Sequence, residues 1–349
     1  MKKTFFFLII TIAVLLIGCS KEENNVTNNG EKESAVEEKS GSPDVKENTA
    51  ENVYPLTGLE SKGKVENRAI GVMVNNHTKA RPQSGLSKAD IVFEILAEGQ
   101  ITRFLAVFQS ELPEVIGPVR SAREYYFELA KGYNALYVYH GAATFVNKMI
   151  QERGIEHLNG SLYDNDGNLF KRESFRKAPH NSYVQVDAIY DVASSKGYSV
   201  TNNTKPLPFL DKSGTESITG DGASHVEIVY SDQPMEIVEY NYDAKSEKYT
   251  RSSDREKTVE LNSGEAIKLD NIFIVETEHE VIDSAGRREV DITSGGDGYL
   301  IQKGKIMKVK WKNQDGRIIP FKDGEPVGFV PGKTWINVVP LNTPINVTK

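Results

Sequence analysis

Side chains able to do chemistry gather between residues 81 and 182 of this 349-residue chain. Five of the seven arginines there are candidates for a site: Arg81, Arg103, Arg120, Arg123 and Arg176. With them come the acids Glu94 and Glu98, the histidines His140 and His180, and the small polar residues Ser121 and Asn181. A guanidinium is a planar fork that grips an oxyanion with two parallel hydrogen bonds. One chemistry for this set is therefore ligand binding, with a phosphate- or carboxylate-bearing envelope glycan as the anion. A second is hydrolysis or group transfer on envelope glycans or phosphoesters. His140 or His180 would then be the general base, Glu94 or Glu98 the acid or a metal ligand, and the arginines would stabilise the transition state. A third is a scaffold or regulatory protein whose charges neutralise one another internally.

Motifs that would select a particular reaction are missing. No GxSxG marks a serine nucleophile. No HExxH or similar spacing ties His77, His140 and His180 to a metal. The glycine-rich loop Thr293–Gly298 lacks the Lys/Ser and the following helix of a phosphate-binding P-loop, and reads as a tight turn. The sequence therefore assigns no catalytic residue, no metal and no cofactor, and binding or regulation is favoured over turnover.

Several elements must position these groups. RAIGVMV (68–74) reads as a buried strand, followed by Asn75-Asn76-His77. Asp90–Ala97 and Ile101–Gln109 read as a hairpin closed at Glu98-Gly99-Gln100. With either two-residue turn the pairing sum is odd, so Glu94, Leu96 and Glu98 share a face with Ile101, Arg103 and Leu105. The other face, with Ile91, Phe93, Ile95, Phe104, Ala106 and Phe108, looks like core. Glu94 and Arg103 are then cross-strand neighbours. They form either an ion pair of ~0.2–1 kcal/mol or a charged patch facing a pocket.

Ser121 and Glu124 have capping-box spacing, which predicts a helix from Ala122 to Lys131 stopped by Gly132. Arg120 and Arg123 would then crowd a helix start, where the dipole favours acids, an arrangement suited to an anion. The alternative is that both pair with Glu94, Glu98 or Asp90. ALYVY (135–139) is a strand with His140-Gly141 at its carboxyl end, and Thr144–Arg153 a helix stopped by Gly154. Ligands in open α/β sheets bind at such strand ends. Ser182 and Gln185 form a second capping box, predicting a helix over 183–196 with Arg176, His180 and Asn181 just before it.

The rest of the chain sets the context. Lys2-Lys3 precede the apolar run FFFLIITIAVLLI (5–17), too short to span a bilayer, which takes ~20 residues, and suited to a signal peptide. The run ends in Leu16-Ile17-Gly18-Cys19, which resembles the bacterial lipobox and implies cleavage before Cys19 and lipidation of its thiol. Cys19 is the chain's one cysteine, which leaves no thiol for catalysis or for a disulfide. Residues 1–18 are thus a signal peptide. Residues 19–52 are the lipidated cysteine and a polar tether, able to reach ~30 Å if it is a flexible coil. Beyond Cys19, residues 20–52 carry nine acids and four lysines, a large share of the chain's net charge of −7. No Lys/Arg-rich arm exists, so nucleic acid is not an expected partner. The expected setting is the extracytoplasmic face of the cell membrane. The expected partners are the membrane itself, through the lipid anchor, an anionic glycan or phosphate, and an envelope protein.

Residues 53–205 read as an α/β domain with a mixed sheet, helices and the polar cleft. Residues 206–349 read as a connection followed by a mostly β domain, so the fold class is α+β. Strands are expected at His225–Ser231, Met235–Tyr242, Lys248–Ser252, Asn271–Thr277, Arg288–Ile292, Gly298–Gln302, Lys305–Lys312 and Trp335–Val339. Trp311 and Trp335 either pack in the core or stack on sugar.

RPQSGLSKADIVFE (81–94), EGQITRF (98–104), GPVRSAR (117–123), YHGA (139–142), RKAPHNSY (176–183) and PGKTWINVVP (331–340) resemble the YerB-like lipoproteins of bacterial envelopes. The resemblance spans most of the chain after the tether. It implies a lipoprotein with a two-part domain of unknown function and supplies no catalytic residues.

Overall fold

A computed structural model describes residues 52–349, apart from Gln233 and Pro234. The signal segment, Cys19 and all of the tether up to residue 51 lie outside the described residues. The N-terminal region runs β1 (Ile70–Asn75), β2 (Ile91–Glu98), β3 (Ile101–Phe108), β4 (Val115–Ile116), α1 (Glu124–Gly132), β5 (Leu136–Tyr139), α2 (Thr144–Glu152), β6 (His157–Asn159), β7 (Phe170–Arg172), β8 (Ser182–Gln185) and α3 (Asp187–Ser195). A short helix, α4 (Lys212–Glu216), precedes a region built of strands. These are β9 (Asp221–Gly222), β10 (His225–Asp232), β11 (Met235–Asp243), β12 (Lys248–Ser253), β13 (Glu256–Lys257), β14 (Lys268–Leu269), β15 (Asn271–Thr277) and β16 (His279–Val281). The chain ends through β17 (Arg288–Val290), β18 (Gly296–Gln302), β19 (Lys305–Gln314), β20 (Arg317–Lys322), β21 (Glu325–Pro326), β22 (Thr334–Pro340) and β23 (Ile345–Thr348). The fold is α+β.

One mixed sheet runs through both regions in the order β21-β20-β19-β18-β15-β22-β2-β3-β1-β5-β6. The junction is β22, inserted between β15 and β2 and parallel to both. A smaller sheet, β13-β12-β11-β10-β23, covers part of one face. Strands buried on both faces should be almost wholly apolar, and β1 (IGVMVN) and β22 (TWINVVP) follow that rule. On one face Phe93, Ile95, Leu105, Phe273, Ile336 and Val338 pack with Tyr126, Phe127 and Leu129 of α1 and Ile150 of α2. On the other, Val92, Phe104, Ile272 and Trp335 pack with Val226, Ile228, Val238 and Tyr240 of the smaller sheet, and Ile189 of α3 belongs to the same cluster.

Three local expectations need correcting. The hairpin pairs Glu94 with Phe104, Ile95 with Arg103 and Leu96 with Thr102, an even sum. A bulge between Leu96 and Glu98 absorbs one residue before Glu98 meets Ile101. A bulge reverses the face of everything on one side of it. Glu94 therefore lies with Phe104 and Ala106, while Arg103 lies with Phe93, Ile95 and, past the bulge, Glu98. Glu94 and Arg103 are on opposite faces.

Ser121 does not cap α1. The residue at the helix start is Arg123, with no side-chain capping bond. Residues 118–122 stay extended because the ends of β1 and β5 take their backbone groups. Asn75 N–H donates to Pro118 O at 2.8 Å, Arg120 N–H to Met73 O at 2.9 Å, His140 N–H to Arg120 O at 3.0 Å and Ala122 N–H to Gly141 O at 3.1 Å. Ser182 and Gln185 likewise open no helix: Ser182–Gln185 is β8, paired with β4 and β7, and α3 starts at Asp187. Burial of Tyr183 and Val184 as strand residues outweighs the local capping signal.

Candidate functional site

Strands β1, β5 and β6 are parallel and end side by side, at Asn75, Tyr139 and Asn159. Their carboxyl ends, the extended segment before α1 and the start of β8 bring Asn75, His77, Arg120, His140, His180 and Ser182 together. Val119 N–H donates to Ser182 O at 2.7 Å, which ties the Arg120 segment to β8. Asn159 Oδ1 accepts Gly141 N–H at 3.0 Å, which holds the turn after His140. Gly160 has no room for a side chain: a Cβ there would lie 2.7 Å from His140 Nδ1 and 2.8 Å from the Phe170 ring.

Hydrogen bonds fix the roles of the ring nitrogens. Asn75 Oδ1 accepts His77 N–H at 3.0 Å, so the Asn75 amide N–H₂ is the group facing His180 Nδ1, 2.9 Å away. A ring nitrogen that accepts carries no proton, so neutral His180 is protonated at Nε2. His77 Nδ1 accepts Lys79 N–H at 3.1 Å, and its proton too belongs on Nε2. The two rings lie 4.7 Å apart, centre to centre. His140 Nδ1 meets Ser182 Oγ at 2.8 Å. Arg120 is half-buried, and its guanidinium has no ion pair or hydrogen bond.

The field is positive. Burial pushes Arg120 down to about 10, and neighbouring Arg103 adds to the shift. All three histidines are held below the usual imidazole value, chiefly by burial, and the Arg120 charge contributes to each. His77 and His180 are thus neutral donors beside an unpaired cation. Such a set suits an oxyanion.

The other predicted site residues are engaged elsewhere. Arg103 donates to Glu98 and, at 2.9 Å, to Ser121 O, and Arg123 bonds the same Glu98 carboxylate and Ala122 O. Ser121 contributes its carbonyl to this contact. Arg81 donates to Asp254 at 2.6 Å and to Asn76 O at 2.9 Å. Arg176 bridges Tyr183 Oη and Pro82 O at 2.5 and 2.6 Å. Asn181 Oδ1 accepts from Arg172 at 2.9 Å, and Arg172 also grips Asp164.

Glu94 is wholly buried, and neither pocket acid nor metal ligand fits its surroundings. It accepts from Arg251 at 2.7 and 2.8 Å, from Trp335 Nε1 at 2.8 Å and from Asn337 at 3.1 Å, and it lies 3.0 Å from Thr102 Oγ1, whose proton goes to Glu236 at 2.7 Å. Arg251 in turn lies 4.6 Å from the Trp335 ring centre and 5.3 Å from that of Phe104. Trp335 is therefore core, as is Trp311, whose Nε1 donates to Glu276 O at 3.0 Å.

Of the eleven predicted residues, Arg120, His140 and His180 meet in the cluster, with Arg103 beside it. Sequence reading set His77 aside with the metal question and passed over Asn75, Asn159 and Ser182. Asn75 and His77 were within reach, because Asn75-Asn76-His77 directly follows a buried strand. Asn159 gives no signal, and the one Ser182 gives, its spacing to Gln185, points to a helix cap rather than to a site.

Ser182, His140 and Asp164 have the composition of a nucleophilic triad, but Ser182 is only 2% exposed and Asp164 lies 4.0 Å from His140 Nε2 with Arg172 on both its oxygens. A substrate cannot reach that hydroxyl. Among the described residues, no group of three or more His, Cys, Asp and Glu side chains could hold a metal ion. A cavity of about 570 Å³ lies elsewhere, against α1 and β16–β17. Glu124, Glu128, Glu278, Glu280, Glu289 and Asp291 line it, the wrong sign for an anion.

A mixed sheet shared by both regions, with a donor cluster at the ends of its parallel strands, defines an α+β protein of the two-part type. The chain belongs to the DUF3048 family: residues 56–199 match its N-terminal domain and residues 226–336 its C-terminal domain, both described as protein of unknown function. It is 50% identical over 288 residues to "Putative lipoprotein YerB" of Bacillus subtilis (strain 168), covering 82% of this chain and 86% of that one. A crystal structure of the YerB protein from Bacillus subtilis superposes with a TM-score of 0.78 at 48% identity, over 84% of this chain and 99% of that one.

Proposed function

We propose that this protein is a lipid-anchored lipoprotein of the extracytoplasmic membrane face that binds an anionic, phosphate-bearing envelope ligand at Arg120, His77 and His180. The lipobox-like Leu16–Cys19 and the name carried by the Bacillus relative support the anchor. One observation carries the site: an unpaired, half-buried guanidinium beside two imidazoles whose free nitrogens are donors. Binding is favoured over turnover because the hydroxyl beside His140 is buried and Glu94 and Glu98 are committed to arginines.

Titration with inorganic phosphate and glycerol 3-phosphate, followed by thermal unfolding and calorimetry, tests the reading. A saturable rise in midpoint is expected, lost in Arg120→Ala and unchanged in Lys303→Ala on the opposite region. No saturable response in the unaltered protein would overturn it.

A further inference from the structure

Leu162 and Phe175 are the two most exposed large hydrophobic side chains among the described residues, at 72% and 58%. Both lie on the loops that frame the donor cluster. Leu162 N–H donates to Asn159 O at 2.9 Å, and Asn159 holds the turn after His140. The Phe175 ring stands 5.9 Å from Tyr183, the neighbour of Ser182, and 5.3 Å from the Arg176 guanidinium, whose charge acts on His180. Lys177 is exposed on the Phe175 loop and Lys79 on the turn after β1 that carries His77, and neither has an ion pair.

Isolated exposed leucines need no explanation. Two large apolar side chains on the rim of one polar site, with unpaired lysines nearby, are the pattern of a surface that meets lipid. Apolar tips enter the acyl boundary while cations meet the headgroups. We infer that this rim docks on the bilayer, with Leu162 and Phe175 in the lipid and the phosphate of an anionic lipid at Arg120, His77 and His180. The inference rests on the anion site of the proposed function and names its ligand as a membrane lipid rather than a free phosphate. Charge complementarity selects the partner: a phosphatidylglycerol phosphate is unshielded, whereas a choline lipid carries its own ammonium.

The test uses the full chain purified from membranes and reconstituted in vesicles. Leu162→Cys and Phe175→Cys variants each carry an environment-sensitive fluorophore, and Leu59→Cys, exposed elsewhere at 44%, is the control. In vesicles containing phosphatidylglycerol, the probes at 162 and 175 should shift to the blue and be quenched by spin-labelled acyl chains. The probe at 59 should do neither. The shift should be lost in pure choline-lipid vesicles and in the Arg120→Ala background. Water-like emission at 162 and 175 in both vesicle types, in a protein that still gives the Arg120-dependent response to inorganic phosphate, overturns the lipid inference and leaves the anion site standing. Equal insertion in both vesicle types also overturns it. Loss of the phosphate response in the unaltered protein removes both readings.

Discussion

The Asn75 amide donates to Nδ1 of His180 across 2.9 Å, and this contact decides which nitrogen of the ring faces the site. The Asn75 orientation is set in turn by His77 N–H, so one side chain at the end of β1 governs both rings. In Asn75→Asp a carboxylate replaces the donor. It accepts from His77 N–H as before, but it requires a proton on His180 Nδ1. The His180 pKa should rise from its depressed value to above that of a free imidazole, read from its ring C–H shifts in an NMR titration. Measured above that raised value, where His180 is neutral again, phosphate affinity should fall about tenfold or more, because the added negative charge opposes the ligand at close range.

Anion binding should be linked to proton uptake. In the free protein, burial and Arg120 hold His77, His140 and His180 below the usual value. A bound dianion reverses that field and raises all three. The complex then carries more protons than the free protein, so affinity must rise as pH falls through the imidazole range. Each proton taken up corresponds to about tenfold in affinity per pH unit at the limit. Sulfate is the cleaner ligand for this calorimetric series because its own charge stays constant. A flat affinity profile would place the histidines outside the site.

The strands of this protein were more legible than the contacts that make its site. Asn271–Thr277 was read from sequence to the residue, and β5, β10 and β19 to within two at either end, because alternation and apolar runs report burial directly. Ser121/Glu124 and Ser182/Gln185 misled because a capping box is a local preference, and backbone bonds to β1, β5, β4 and β7 overrode it. The hairpin face was misassigned by one bulged residue, which no composition signal announces. That single slip moved Glu94 from a supposed pocket into the core. Its true partner, Arg251, is 157 positions away, a distance no spacing rule covers.

Glu236 should make stability fall as pH rises. It is 4% exposed, accepts from Thr102 at 2.7 Å and lies 3.9 Å from Arg81, and burial pushes it up to about 7. An unfolded glutamate titrates near 4.5. With the folded value above the unfolded one, the fold binds the extra proton, and its stability declines between about pH 4.5 and 7. Glu236→Gln removes this slope. Urea unfolding of the two proteins at about pH 5 and about pH 8 should show the variant gaining on the native protein by about 2–3 kcal/mol at the higher pH. Asp90, held at about 6 mainly by burial, contributes the same sign in both proteins and cancels from the comparison.

Arg251→Met should be among the most damaging single changes in the molecule. The guanidinium is 1% exposed, wedged between the Phe104 and Trp335 rings, and supplies two of the Glu94 hydrogen bonds. Removing one partner of a buried pair leaves an uncompensated charge and costs about 3–5 kcal/mol. Trp335 and Asn337 still donate to Glu94 in the variant, but two neutral donors do not replace a cation. Arg251→Met combined with Glu94→Gln removes both charges while keeping an acceptor for Trp335. Denaturant unfolding of the double variant should recover about half or more of the single-variant loss, as expected when the cost lies in the stranded charge rather than in lost packing. If the double variant is no more stable than Arg251→Met, the arginine acts through its ring contacts and not through Glu94.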